Sequence, residues 1–195
     1  AMDKYLQQNI YEPLGMQTTG YRPLDRFPTE RIAPTECDNF YRKQQLIGYV
    51  HDETACFFGG VQGNAGLFSN ANDLAKLCQM WLNKGTYGNE RILSPKTVEL
   101  FLTEKSSTSR RGLGFDKPDM ENPEKSPTAI EASASTIGHL GFTGTCFWID
   151  PGQELIYIFL CNRVYPSRTH DALSQLNIRP ELFSTIYRSI KNHSK

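Results

Sequence analysis

Apolar side chains recur at helical spacing at both ends of the chain. From Met2 to Ile10 they return every three or four residues, and the helix breakers Pro13 and Gly15 predict the end of this first helix. Near the other end, Pro180 predicts the start of a last helix. The apolar residues expected on one side of that helix are Leu182, Phe183, Ile186 and Ile190.

Two helices in the middle of the chain carry capping residues. Asn70 and Asp73 have the spacing of an N-cap and its third helical residue, and the apolar pattern that follows ends at Gly85, a typical residue after a helix. Ser94 followed by Pro95 predicts another helix start, because serine caps free N–H groups and proline suits the first helical position. We therefore expect two amphipathic helices in succession.

The strongest strand signal lies at residues 142–161. Residues 142–149 and 155–161 are rich in apolar, aromatic and β-branched side chains, and the Asp-Pro-Gly sequence between them is typical of a turn. The pattern predicts an antiparallel hairpin. Its second arm is apolar on both faces, so we expect both faces to be covered, one of them by the last helix.

Two long segments lack a sustained period. Residues 17–58 are rich in Pro, Thr, Asp and Arg, and we predict a long excursion with short strands at most, one of them at 45–50. Residues 104–137 are rich in Ser, Thr, Pro, Lys and Glu and predict an exposed loop, in which only residues 112–115 resemble a short strand. The order of helices, strands and helix predicts an α+β fold.

The composition narrows the class of protein. The 195 residues include 38% hydrophobic side chains, and 21 Lys and Arg balance 21 Asp and Glu. These values exclude disorder and argue against a nucleic-acid-binding protein, which normally has a basic excess. No apolar run approaches the roughly 18 residues of a membrane span. The length fits one domain or part of a larger one.

The cysteines and histidines do not form a metal-ligand pattern. The five cysteines are scattered without a C-x-x-C pair or a histidine cluster, so we predict five free thiols, no metal and no cofactor. His51 beside Asp52 has the order of a base and its orienting carboxylate, but a loop histidine that bonds its neighbours is the favoured interpretation. A thiol pair of Cys146 with His139 is excluded, because an extended strand separates them by roughly 23 Å.

A glycine-rich segment at residues 138–145 is the best candidate for a functional site. The chain has no G-x-S-x-G sequence, and no serine is followed three places later by lysine, so the sequence offers no serine nucleophile. Segment 138–145 places His139 and two threonines among three glycines, although glycine weakens a strand unless another group must come close. It is either an open edge that aligns a substrate, with the Phe142 N–H facing an oxyanion, or a glycine-rich turn.

Five short segments occur in a fixed order along nearly the whole chain. They are residues 9–16 with 18–19, residues 59–69 leading into 73–75, residues 91–95, residues 112–115, and residues 138–145 followed by the turn at 150–151. In this order the chain resembles the C-terminal part of the serine β-lactamases and penicillin-binding-protein-like hydrolases, the group of class C β-lactamases, D-alanyl-D-alanine carboxypeptidases and esterases. The resemblance implies the C-terminal portion of a β-lactamase/transpeptidase-like fold, an antiparallel sheet flanked by helices and truncated at its N-terminus, with residues 1–195 as a single partial domain.

The resemblance implies three site motifs, of which this chain holds the third. In that family S-x-x-K gives the acylated serine and its lysine, Y-x-N or S-x-N gives a proton-transfer group, and K-T-G or H-x-G lies on a strand beside the site. His139 and Gly141 match the third motif, with Leu140 where the family usually has Thr or Ser. This implies His139 as the basic residue, Gly141 as the clearance residue and the Phe142 N–H as one oxyanion donor. The residues implied as substrate-binding are Thr143, Gly144 and Asn64.

The first two motifs are expected before Asp3, in polypeptide that this chain does not contain. The Tyr-Gly-Asn sequence at 87–89 fits Y-x-N as text but falls where the family has a surface turn. We expect a fragment of a serine hydrolase that forms an acyl-enzyme on an ester, an amide or a cell-wall peptide, and that is inactive alone. The alternative is a non-catalytic module of a larger protein that binds a peptide or assists a partner domain.

The resemblance also implies partners and a location. The expected partners are the missing N-terminal part of the same domain and a small-molecule or peptide substrate, with neither nucleic acid nor a membrane span. A truncated sheet should expose an apolar patch or form a dimer that hides it. The family is commonly exported, so we expect the bacterial periplasm or cell envelope.

Overall fold

The chain forms small antiparallel sheets and helices. The computed structural model describes residues 1–103 and 108–193. The helices are α1 (Met2–Leu6), α2 (Glu53–Phe57), α3 (Ala71–Leu82), α4 (Pro95–Leu102), α5 (Ala172–Gln175) and α6 (Ile178–His193). The strands are β1 (Pro34–Asp38), β2 (Gln44–Ile47), β3 (Thr86–Tyr87), β4 (Glu90–Arg91), β5 (Ile137–Leu140), β6 (Cys146–Asp150) and β7 (Leu155–Phe159). Short π- or 3₁₀-helical turns lie at Gln7–Tyr11, Pro23–Asp25, Thr29–Arg31 and Pro123–Lys125.

The three-stranded sheet has two covered faces. Its strand order is β5-β6-β7 with antiparallel neighbours, so the predicted hairpin is confirmed with shorter arms. On one face Trp148 packs with Phe183 of α6, whose ring stacks on Tyr157 at a centroid distance of 4.5 Å. On the other face Ile149 packs with Cys78 of α3. Alternate residues of β6 feed two separate clusters because successive side chains of a strand point to opposite faces.

The last helix turns a different side to the sheet than its apolar pattern predicts. Phe183 and Tyr187 are the buried aromatic residues, and the Tyr187 hydroxyl donates a 2.5 Å hydrogen bond to the buried Asp150 carboxylate. This bond draws the helix toward β6 on its aromatic side. The apolar residues left 38–46% exposed are Leu182, Ile186 and Ile190.

Both predicted N-caps are present. The Asn70 side chain accepts a hydrogen bond from the Asp73 N–H at 2.8 Å, and the Ser94 hydroxyl accepts one from the Thr97 N–H at 3.0 Å. Each cap satisfies one of the N–H groups that the first turn of a helix leaves without a partner. The starts of α3 and α4 are therefore fixed by local chemistry that the sequence already carries.

The end of α3 differs from the prediction by one residue. Lys84, rather than Gly85, takes the left-handed conformation just after the cap, with φ of 54°. The Gly85 N–H reaches back to the Met80 carbonyl at 2.8 Å, and the Lys84 N–H reaches the Trp81 carbonyl at 3.1 Å. This is the double hydrogen-bond pattern of a Schellman motif, and Gly85 occupies its second position.

Segment 17–58 is more regular than predicted. β1 and β2 form an antiparallel pair, of which only the strand near 45–50 was located in advance, and α2 follows them. β1 escaped prediction because two of its buried side chains, Glu36 and Asp38, are charged. A buried carboxylate breaks the apolar alternation by which a half-buried strand is identified.

The prediction of an exposed loop at 104–137 is wrong for its second half. Ala129 and Ala132 are buried in the same cluster as Trp148, since the chain there crosses the α6 face of the sheet. Residues 112–115 form no strand, and the backbone instead bridges to β5 one position later, at Asp116. Residues 104–107 of this segment lie outside the described residues.

Candidate functional site

The end of β5 is an open edge of the three-stranded sheet. On its outer side Gly138 exchanges two backbone hydrogen bonds with Asp116, of 2.8 and 3.0 Å. Outward-facing residues alternate along an antiparallel strand, so Leu140 is the next to direct its N–H and C=O outward. Within the described ranges no strand pairs with Leu140 on that side. The open edge is therefore one residue long, and it ends where the candidate turn begins.

A tight turn follows β5, where residues 142–145 were predicted to continue a strand. The Gly144 N–H donates to the Gly141 carbonyl at 3.0 Å, and the Gly141 N–H donates to the Thr145 carbonyl at 2.7 Å. β6 begins only at Cys146. The Phe142 N–H, at the first central position of this turn, has no hydrogen-bond partner among the described residues. Segment 138–145 thus contains both an open edge and a glycine-rich turn, and the alignment of a substrate on that edge stays a prediction.

The glycines of the segment make room for protein groups. A Cβ on Gly138 would lie 2.1 Å from the Phe147 carbonyl oxygen and 2.5 Å from the Trp148 ring. A Cβ on Gly141 would lie 2.3 Å from the Thr145 hydroxyl. The close approach that glycine permits is therefore explained at Gly138 by the neighbouring strand β6 and at Gly141 by Thr145 of the turn.

His139 is exposed at the open edge. It pairs with Phe147 across the sheet, and its Nδ1 lies 2.8 Å from the Leu140 carbonyl oxygen. Because a carbonyl oxygen only accepts, Nδ1 is the donor of this hydrogen bond. Nε2 is the nitrogen that a proton-transfer role would use.

The reason given for excluding a Cys146–His139 pair is wrong, although the exclusion stands. The chain turns back on itself, so Cys146 lies directly across from Leu140 rather than roughly 23 Å away. Its side chain shares a face with Leu140, opposite to that of His139, because neighbouring residues of a strand alternate. Burial also raises the pKa of the Cys146 thiol to about 12, so it is not a thiolate at neutral pH.

Two residues that were not predicted as site residues contact the Phe142 ring. Phe142 is 62% exposed. The centroid of its ring lies 5.2 Å from that of the His51 ring and 4.6 Å from the Arg163 guanidinium carbon. Arg163 also donates from Nε to the Phe142 carbonyl at 3.0 Å. One feature of the sequence indicates a change of environment at Arg163. The polar residues 162–163 follow directly after the apolar run at 155–161.

His51 belongs to a cluster of charged side chains next to the turn, in which His51 and Glu36 are buried and Arg168 and Glu53 are partly exposed. Its Nε2 lies 2.9 Å from a Glu36 carboxylate oxygen, outside hydrogen-bond angles, so its close neighbour is Glu36 rather than Asp52. Arg168 binds Glu36 through Nε and NH2 at 2.7–3.1 Å and binds Glu53 at 2.7 Å. Hydrogen bonds from Arg168 hold the pKa of Glu36 below its usual range, and burial lowers the pKa of His51. The cluster therefore holds a neutral imidazole between ionised groups at neutral pH.

The other predicted substrate-binding residues lie in different surroundings. Thr143 accepts a backbone hydrogen bond from Arg163 at 2.8 Å, whereas Gly144 is buried and its carbonyl accepts from Arg179 at 3.3 Å. Asn64 is exposed in the loop before α3, and its amide lies 3.4 Å from the Asp52 carboxylate. Asn64 is thus connected to the turn through Asp52 and its neighbour His51, whose ring contacts Phe142. The roles of these residues stay predictions.

The other sequence features considered as functional sites do not belong to the turn after β5. The Tyr-Gly-Asn sequence at 87–89 spans the turn of the β3–β4 hairpin, as expected for a surface turn. All five cysteines are free, and the described ranges hold no group of three or more metal-ligating side chains. No helix in the described part of the chain is long and apolar enough to cross a membrane. An open polar concavity of about 510 Å³ lies elsewhere, between α1 and residues 20–26.

Sequence comparisons give this site its family. The sequence profile of the beta-lactamase family matches residues 1–178. A protein of Escherichia coli strain K12 with the provisional name D-alanyl-D-alanine carboxypeptidase is 35% identical over 197 residues, covering 94% of this chain and 44% of its own length. A Salmonella paratyphi B protein with the same provisional name is 36% identical over 195 residues, covering 93% and 44%. The chain belongs to the beta-lactamase family and spans less than half the length of these relatives.

Solved structures share the fold at low sequence identity. A beta-lactamase from Mycobacterium bovis matches with a TM-score of 0.54 at 19% identity, over 89% of this chain and 56% of the other. A penicillin-binding protein homologue from Caulobacter crescentus gives 0.58 at 20% identity, over 94% and 53%. A simvastatin synthase mutant from Aspergillus terreus gives 0.62 at 18% identity, over 98% and 50%. These matches confirm the predicted fold class, an α+β portion of a β-lactamase/transpeptidase-like domain.

Proposed function

We propose that this chain supplies one wall of the acyl-enzyme site of a serine hydrolase that cleaves an ester, an amide or a cell-wall peptide ending in D-alanyl-D-alanine. The observation that carries the proposal is the end of β5, where His139 lies on an open edge and the Phe142 N–H begins the turn with no partner among residues 1–103 and 108–193. The names of the bacterial relatives support a carboxypeptidase-type substrate.

Each proposed role follows from the geometry of that edge. The outward N–H of Leu140 would donate to the backbone of a substrate, and its C=O, which already accepts from His139 Nδ1, would accept a second hydrogen bond, as in strand addition. The Phe142 N–H would donate to the oxyanion of the tetrahedral intermediate, where preorganised donors contribute most to the rate. His139, with Nε2 free, would exchange a proton or meet a substrate carboxylate. Gly141 keeps the strand end close to Thr145, which fixes where the turn starts.

The nucleophile and its base are proposed to lie in polypeptide outside these 195 residues. The sequence contains no S-x-x-K, and its one Y-x-N match spans the β3–β4 hairpin turn. The chain also covers only 44% of the length of its relatives, which supports a partner segment of the same domain. The catalytic groups of such a site act together, so the chain alone should lack nearly all of the activity.

Intact-mass spectrometry tests the proposal on two proteins, this chain alone and the parent protein extended upstream through an S-x-x-K sequence. Both are incubated with a penicillin, an activated ester and a peptide ending in D-alanyl-D-alanine. We expect no adduct on the chain alone, a serine adduct on the parent, release of D-alanine by the parent, and a loss of at least tenfold in that release for His139→Ala. An acylated 195-residue chain, or a parent that neither acylates nor releases D-alanine, would contradict the proposal.

The same experiment separates the non-catalytic alternative. A parent protein that binds the peptide without releasing D-alanine supports an accessory or peptide-binding module. Cell fractionation of the parent organism tests the proposed location in the bacterial envelope. Sedimentation of the chain alone tests the prediction of a dimer through the face that its partner segment would otherwise cover.

A further inference from the structure

Arg163 holds the turn after β5 at three points. Its backbone N–H donates to the Thr143 carbonyl at 2.8 Å, and its Nε donates to the Phe142 carbonyl at 3.0 Å. Its guanidinium carbon also lies 4.6 Å from the centroid of the Phe142 ring, within the range of a cation–π contact. One residue therefore fixes two consecutive carbonyl groups and one side chain of the same four-residue turn.

Arg163 is itself held by the segment that follows β7. Its NH1 donates to the Arg168 carbonyl at 3.2 Å and to the His170 carbonyl at 2.7 Å. The preceding residue, Asn162, donates from Nδ2 to the Thr35 carbonyl of β1 at 3.0 Å. The guanidinium is thus fixed at both ends, between the turn and a segment tied to the β1–β2 hairpin.

Arg163 binds the carbonyls of Phe142 and Thr143, which follow the Phe142 N–H along the chain. This N–H is the proposed oxyanion donor. The Gly144 N–H bond to the Gly141 carbonyl closes the turn from the other side. Between these restraints the Phe142 N–H is left without a partner in the described residues. An N–H group held in one direction and kept free of protein acceptors has the properties of a preorganised oxyanion donor.

We propose that Arg163 is a positioning residue that aims the Phe142 N–H at the oxyanion, an inference that rests on the proposed function. Arg163 acts through the turn and touches no reacting atom. Without its side chain, the Phe142 carbonyl loses the Nε donor and the Phe142 ring loses the guanidinium, so the turn gains freedom to rotate although the backbone bond to Thr143 stays. A displaced donor weakens binding of the transition state more than binding of the substrate, so kcat falls while KM changes little.

Three variants of the parent protein test this role. Arg163→Met removes the Nε bond and the charge, Arg163→Lys keeps the charge, and Arg188→Met is the matched control. Arg188 is a half-exposed arginine of α6 that pairs with Glu131 at 2.9 Å, and its described contacts include none with the turn. We expect kcat for D-alanine release to fall about 10- to 100-fold in Arg163→Met, with KM within about threefold. Arg163→Lys should recover part of kcat, and Arg188→Met should stay within about twofold of the unchanged protein.

Amide hydrogen exchange gives a second readout that does not depend on turnover. The Gly144 N–H donates the hydrogen bond that closes the turn. Exchange of this amide hydrogen should therefore accelerate at least about tenfold in Arg163→Met and not in Arg188→Met. Unchanged kcat, a change in KM alone, or unchanged Gly144 exchange in a folded Arg163→Met protein overturns the inference. A parent protein that releases no D-alanine contradicts the proposed function, and the positioning role of Arg163 falls with it. An active parent that is indifferent to Arg163 defeats only the inference.

Discussion

Replacing Glu36 by Gln removes the charge from a buried carboxylate that anchors the segment after β7. Glu36 is 3% exposed and accepts hydrogen bonds from the Arg168 backbone N–H at 2.9 Å and from its guanidinium at 2.7–3.1 Å. Breaking a buried ion pair costs about 3–5 kcal/mol. Because the Arg168 side chain is 30% exposed and keeps Glu53 as a partner, we expect a loss of about 2–3 kcal/mol.

Urea denaturation followed by circular dichroism at pH 7 measures this loss. The control is Asp25→Asn, since Asp25 lies 3.6 Å from Arg22 and both side chains are more than half exposed, so we expect less than about 0.5 kcal/mol. The hydrogen bonds from Arg168 depress the pKa of Glu36, so its contribution is present above the ordinary pKa of 4.5 and is lost as the pH falls below it. The reasoning is refuted if Glu36→Gln costs no more than the control at pH 7, or if its cost persists unchanged to pH 3.

Other perturbations test other parts of the fold. Phe183→Ala should lose about 3–5 kcal/mol in urea denaturation, because its fully buried ring stacks on Tyr157, and a loss below about 1 kcal/mol would disprove that packing. Ser94→Ala should cost about 1 kcal/mol and lower the melting temperature by about 2–4 °C through the lost cap of α4, whereas an unchanged temperature would refute it. Burial raises the pKa of the Cys78 and Cys146 thiols to about 12, so iodoacetamide at pH 8 should modify them only after unfolding, and their rapid alkylation in the native protein would speak against it.

The features that the sequence predicted best are those decided by neighbouring residues. The caps at Asn70 and Ser94 and the hairpin turn at 150–152 depend on contacts within a few positions, and each is found where it was expected. The buried side of α6 depends instead on what it meets. The hydrogen bond from Tyr187 to Asp150 joins residues 37 apart, and no helical periodicity contains that information.

The candidate site divides in the same way. The H-x-G motif is a continuous stretch, so His139 and Gly141 could be found from their order alone. The residues that contact the Phe142 ring could not be found in this way. Arg163 follows Phe142 by 21 residues, and His51 precedes it in a different part of the chain. His51 is next to Asp52 in the sequence, but its close neighbour in space is Glu36. Glu36 lies in β1, a strand that the sequence did not predict because two of its buried residues are charged.

The backbone bridge between Asp116 and Gly138 limits what the edge of β5 can accept. It occupies the position that would otherwise continue the ladder, so among the residues that the structure describes the ladder leaves an incoming chain one rung, at Leu140. One rung gives little register and little affinity from main-chain atoms. A ligand at this edge must therefore be selected by its terminal group and by the side chains on either side of one bond, which suits a short chain end better than the middle of a long polymer.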